Sequence, residues 1–201
     1  MKRQNTEMNK KGTYSFIPIL FLFTAWAFTS GSQKPLFSLL AVALHELGHI
    51  VGAFLSGTGF QRIEFQRGGL ILIPKYGYRS YTAEAVTALS GPLFNLISAA
   101  ICYFIASNSS ARFFADVSLS LGLLNLLPVE SFDGEKILSS LTGLFLPDEW
   151  RIALCGLLSF LSLFFLWSIA VYAMIKSGES LSLFVFSIIL FSKMLKSRQP
   201  L

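Results

Sequence analysis

The chain is short of charge, of histidine and of cysteine, and each shortage narrows what it can be. Only 13% of its 201 residues are charged, while 53% are hydrophobic; soluble domains carry about a quarter charged residues. So little charge excludes an ordinary soluble globular domain and implies several membrane crossings. The two cysteines, Cys102 and Cys155, each lie within an apolar stretch, which excludes an extracellular disulfide framework. The 16 basic residues outnumber the 11 acidic ones, but their distribution is a topology signal, and the net charge of +5 needs no nucleic-acid partner.

Intervals without charge locate the crossings. There are 22 uncharged residues between Lys11 and Lys34, 27 between Glu84 and Arg112, and 24 between Arg151 and Lys176. A further 27, from position 35 to position 61, carry no full charge except Glu46. Each exceeds the roughly 20 apolar residues a helix needs to cross the hydrocarbon core. Two shorter intervals, of 13 residues each after Asp116 and after Glu179, are read as further crossings at about 111–127 and 180–195. Six crossings place 13 basic residues on one side and only Lys34, Arg112 and Lys176 on the other. The positive-inside rule then puts both termini in the cytoplasm. The basic start followed by an apolar run over 17–28 has the outline of a secretory signal, but the run continues without a small-x-small cleavage site and reads as the first crossing.

The expected fold is an all-α polytopic membrane protein, a single domain over 1–201 with six transmembrane helices. A short cytoplasmic β-hairpin is expected between the second and third helices. There Ile63 and Phe65 alternate with Arg62, Glu64 and Gln66, and Gly68-Gly69 supply the turn. An exposed edge around Gly68, Gly69 and Ile71 can bind an unwound substrate by strand addition. The same hairpin can instead pack on the membrane surface, since edge pairing is not legible in sequence.

The two histidines stand four residues apart in His45-Glu46-Leu47-Gly48-His49, within the second crossing. Positions i and i+4 share one helix face about a turn apart, so both rings can reach one ion. This is the H-E-x-x-H arrangement, in which two imidazoles bind zinc and the glutamate acts as general base toward a zinc-activated water. An ionisable group at membrane depth is costly and marks a functional site. Zinc usually takes a third protein ligand, and no third histidine exists. The acidic residues at the inner end of the fourth crossing, Glu130, Asp133 and Glu135, lie at the right depth. Pro128 and Gly134 bracket an irregular segment there, and broken backbone at membrane depth is tolerated where it lines a wet cavity or is buried in protein. Asp133 is the expected third ligand, with Glu130 in reserve, although an Asp-Gly pair after a span is also a common turn.

These residues resemble the site-2 protease family of intramembrane zinc metalloproteases, and within it the compact branch typified by stage IV sporulation protein FB. The resemblance rests on the histidine motif at 45 to 49, on Gly91-Pro92 followed by Asn95, and on Asn125-Leu-Leu-Pro128 followed by Asp133-Gly134; it covers roughly 37–138. It implies His45, His49 and Asp133 as ligands of one zinc ion, Glu46 as catalytic base, and Asn125, beside Pro128, near the substrate backbone. It also implies a bacterial, multi-pass cell-membrane protein acting on a membrane-anchored protein. Where the family commonly has a proline before the aspartate and a second glycine after the first, this chain has Ser131 and Glu135. No PDZ or CBS domain is expected, so regulation is left to other membrane proteins. Gly91 and Pro92 are expected to shape the site, and Asn95 either hydrogen-bonds across helices or orients a ligand. The competing expectation is a non-proteolytic zinc-binding scaffold or transporter; a glutamate retained beside the ligands speaks against it.

Overall fold

The computed structural model describes residues 34–58, 60–66, 69–74, 80–105, 108–130, 132–177 and 187–192. Helix α1 spans Lys34–Leu55, with Pro35 in its first turn, where a missing amide hydrogen costs nothing. It stops because Gly57 takes a left-handed φ of +68°. The amides of Gly57 and Thr58 turn back to the carbonyls of Phe54 (3.1 Å) and Ala53 (2.9 Å), satisfying groups a helix end leaves open. Strands β1 (Phe60–Gln66) and β2 (Gly69–Pro74) follow and pair antiparallel, with Gln66 opposite Gly69 and Glu64 opposite Ile71. Gly69 is therefore the first residue of β2 rather than half of the turn, and position 68 lies outside the described residues.

Helix α2 (Tyr81–Ile105) carries Pro92 in its interior, and α3 (Ser109–Asn125) is capped by the Asn108 side chain, which accepts from the Ala111 amide at 2.7 Å. Residues 126–130 are irregular around Pro128. Short bonds tie this stretch down, from Val129 to the Leu127 carbonyl (2.7 Å) and from Phe132 to that of Val129 (2.9 Å). Helix α4 (Asp133–Thr142) begins directly after it, and α5 (Asp148–Ser177) is the longest helix described. Asp133-Gly134, read from sequence as part of an irregular segment, instead opens α4.

Among the described residues three helices, α1, α2 and α5, are long and apolar enough to cross a membrane. Their outward side chains are large and apolar, among them Leu40, Phe54, Ile101, Phe104, Phe164 and Phe165, which suits hydrocarbon as solvent. The chain is thus a membrane protein, but six crossings are not reached among the described residues. Helix α3 has 17 residues, about 26 Å at 1.5 Å per residue, which falls short of a hydrocarbon core of about 30 Å. The expected first crossing lies outside the described residues, and the expected sixth is described only at 187–192.

Helices α1 and α2 pack most extensively on each other because small residues line the contact. A Cβ on Gly48 would lie 2.5 Å from the Ser90 carbonyl oxygen, and one on Gly52 would lie 2.3 Å from Ser90 Oγ. Such contacts let membrane helices approach backbone to backbone. Helices α3 and α4 also pack on α2, which makes α2 the post around which the site is assembled. A separate apolar cluster of Val129, Leu163, Leu166 and Leu190, with Leu124, Leu127 and Phe132 against it, ties the α3–α4 connection to α5.

Candidate metal centre

His45 and His49 follow each other by one turn on the face of α1 that α2 covers, and Asp133 is the first residue of α4. His45 Nε2 lies 3.0 Å from Asp133 Oδ2, His49 Nε2 lies 3.1 Å from the same oxygen, and the two nitrogens are 3.1 Å apart. His45 and Asp133 are buried, at 6% and 4% exposure. These three residues are the one His, Cys, Asp and Glu group able to share a metal ion among the described residues. The reserve ligand Glu130 is not part of it.

The donor set fits zinc. Ligands about 2.0–2.2 Å from a tetrahedral zinc stand on the order of 3.3–3.5 Å from one another, and the three edges here are within a few tenths of that. Two imidazoles and one carboxylate, with a fourth position left, is also the composition of a catalytic rather than a structural zinc site.

Each ring is held from behind. His49 Nδ1 donates to the Thr87 carbonyl of α2 at 2.9 Å, which aims its Nε2 toward Asp133. Gly91 makes room for that ring, since a Cβ there would come within 2.4 Å of His49 Cε1 and Nε2. Pro92 is fully buried one residue on. Behind His45, the fully buried Asn95 places its amide nitrogen 3.3 Å from Nδ1; of the two roles open to it from sequence, it is beside the ligand. The rings stand nearly perpendicular, at 85° with centroids 4.8 Å apart.

Asp133 uses its second oxygen to accept from Lys136 Nζ at 2.9 Å. Burial pushes this carboxyl up, but hydrogen bonds from His45 and His49 and the charges of His49 and Lys136 outweigh it and hold it well below the usual carboxylate range. Gly134 allows the placement: a Cβ would meet the Leu126 and Leu127 carbonyls at 2.2 and 2.4 Å. Glu46 is half-buried beside the histidines, close enough that its charge acts on His49. Asn125 donates to the Leu121 carbonyl of its own helix at 3.0 Å, and Pro128 is half-buried in the α3–α4 connection. Ile71 lies on β2, outside the three-residue cluster.

Sequence reasoning missed Lys136 and Thr87. Lys136 had a signal, because Asp and Lys three apart on a helix face each other, but α4 itself was not expected. Thr87 acts through its backbone carbonyl, which no residue type announces.

The fold and site together define a class, membrane proteins with a buried candidate metal centre of two histidines and one aspartate. The family model described as Peptidase M50B-like matches residues 17–196, and the chain belongs to that family. It is 29% identical over 139 residues to stage IV sporulation protein FB of Bacillus subtilis, an alignment covering 66% of this chain and 48% of that protein. The chain thus matches about half the length of this curated relative. Its fold is similar to that of the site-2 protease from Methanocaldococcus jannaschii, with a TM-score of 0.56 at 18% identity, covering 92% of this chain and 88% of the other.

Proposed function

We propose that the protein is an intramembrane zinc metalloendopeptidase that hydrolyses a peptide bond in or near a transmembrane segment of a membrane-anchored protein. The observation that carries this reading is the convergence of His45, His49 and Asp133 within 3.1 Å of one another, with Glu46 adjacent in sequence to His45. His45 Nε2, His49 Nε2 and Asp133 Oδ2 would hold zinc. When bound, the ion supplies a Lewis acid that makes water acidic near neutral pH and polarises a carbonyl.

The remaining work falls to the chain. Glu46 takes a proton from the attacking water and returns it to the leaving amine, a role a positioned carboxylate can fill. Thr87 and Asn95 hold the rings so that their Nε2 atoms converge, and Lys136 holds the second oxygen of Asp133 at 2.9 Å. A transmembrane substrate helix has its amides already bonded and must be unwound before attack, so it needs partners for an extended backbone. Asn125 and the β1–β2 hairpin around Gly68, Gly69 and Ile71 are assigned that task, the hairpin by strand addition. Hydrolysis consumes water, and the site is assigned to open toward the cytoplasm, on the same side as both termini. The 1–201 chain then works as one integral-membrane unit in a bacterial cell membrane.

The test is co-expression with candidate single-span membrane proteins, comparing the wild type with Glu46→Gln and mapping any cut. Cleavage by the wild type alone, at a bond in or beside the span, is expected. Equal cleavage by both proteins, or by neither with any candidate that binds, would remove the assignment.

A further inference from the structure

Asn95 is fully buried in α2 opposite the ring of His45. Its amide nitrogen is 3.3 Å from His45 Nδ1, and its Oδ1 is buried with no hydrogen-bond partner. A buried amide oxygen left without a donor carries an uncompensated desolvation cost, so the pairing calls for an explanation. A carboxamide presents a donor and an acceptor of nearly the same shape, and a half-turn exchanges them.

Which end faces His45 depends on the tautomer of the ring. A ring carrying its proton on Nε2 donates to Asp133 Oδ2 across 3.0 Å and leaves Nδ1 as an acceptor for the Asn95 amide N–H across 3.3 Å. A cation between the three ligands needs the Nε2 lone pair, so the ring proton must reside on Nδ1, which then needs an acceptor. Turning the carboxamide over supplies Oδ1 to Nδ1–H and gives the orphaned oxygen its donor. His49 has no such choice, because the Thr87 carbonyl only accepts.

We infer that Asn95 is a positioning residue of the metal centre, holding His45 in the tautomer whose Nε2 lone pair faces His49 and Asp133. It does so with its carboxamide turned so that Oδ1 accepts from Nδ1–H, the partner that this tautomer requires. This inference rests on the reading of His45, His49 and Asp133 as metal ligands, which has its own control below. A merely structural Asn95, bonding across helices to hold α1 on α2, makes a different prediction.

The experiment measures cobalt(II) and zinc affinity of the full chain in detergent, by competition with a chelator, and records the cobalt visible spectrum. Asn95→Leu keeps the volume and removes every hydrogen bond; Asn95→Asp keeps only an acceptor, the end the loaded state uses. Loss of an outer partner of a ligating histidine weakens metal binding about 10–100-fold, and that loss is expected for Leu. The Asp variant is expected to bind within about threefold of wild type, on the same reasoning, with the wild-type cobalt spectrum. Leu binding as tightly as wild type, or Asp as weakly as Leu, overturns the inference. Should the Leu variant not fold, Asn95→Ala replaces it under the same criteria. His45→Ala and the wild type test the underlying reading: if the wild type holds no stoichiometric metal, the metal site itself falls, and the role of Asn95 with it.

Discussion

His45 Nε2 and Asp133 Oδ2 lie 3.0 Å apart although 88 residues separate them in the chain. Two packing events close that gap. Helix α1 seats on α2 through Gly48 and Gly52, and α4, which also packs on α2, starts hard against the Leu126 and Leu127 carbonyls through the close approach at Gly134. The geometry of the cluster therefore depends on these glycines as well as on its own side chains.

Glu46→Gln tests the assigned base. The amide keeps the shape and is not a ligand, so zinc content should be that of the wild type. Cleavage should fall by about 100-fold or more, the contribution expected of a positioned general base. Metal analysis alongside a gel-based cleavage assay reads both quantities, and equal turnover would refute the role.

Gly91→Ala places a methyl 2.4 Å from the His49 ring, which is tethered by its bond to Thr87. The ring has to leave its position. Overpacking of this kind costs about 1–3 kcal/mol, and at 1.4 kcal/mol per decade metal affinity should drop about tenfold or more. Chelator competition measures it.

Gly134→Ala separates propensity from packing. In an exposed helix, alanine in place of glycine stabilises by about 1 kcal/mol. Here the methyl would meet backbone carbonyls at 2.2 and 2.4 Å, so α4 must back away and carry Asp133 with it. A lowered unfolding temperature and reduced zinc content are expected; a raised temperature with full zinc would contradict the observed seat of α4.

Ile71→Pro removes a backbone donor from β2, opposite Glu64, and proline is poorly tolerated inside a ladder. If the hairpin holds an extended substrate, cleavage should fall while zinc content stays unchanged. Unchanged cleavage in a reconstituted assay would rule out strand addition.

Glu135 carries the pH dependence outside the metal centre. Burial, and then the charge of Glu130, lift its carboxyl above the ordinary value of 4.5. A raised carboxyl favours the folded state while protonated, and that contribution is lost as pH rises from the ordinary value through the folded one. Glu135→Gln should therefore raise the unfolding temperature at pH 7.5, with the gain shrinking toward pH 4. Thermal scans across that range check the sign.

Parts of the site were legible before any fold was known because their geometry is local. The spacing of His45 and His49 sets one face of one helix, whatever surrounds it. Asp133 was reachable by elimination, since few acidic residues exist and fewer lie near the histidines in depth. Lys136 stayed hidden behind an expected irregular segment where a helix forms, and Thr87 because its carbonyl has no sequence signature. The crossing count failed at α3, whose 17 residues include Arg112 and Asp116, since a count of uncharged residues does not set helix length.

By itself the sequence determined the medium and the chemistry. Scarce charge committed the chain to a bilayer, and two imidazoles a turn apart around a carboxylate made α1 the place of a candidate metal site. Tertiary structure decided which carboxylate joins them and how the rings are aimed. Those outcomes depend on how closely α1 and α4 approach α2. Such distances are set by backbone contacts and the room left by glycines, and these exist only once the helices have packed.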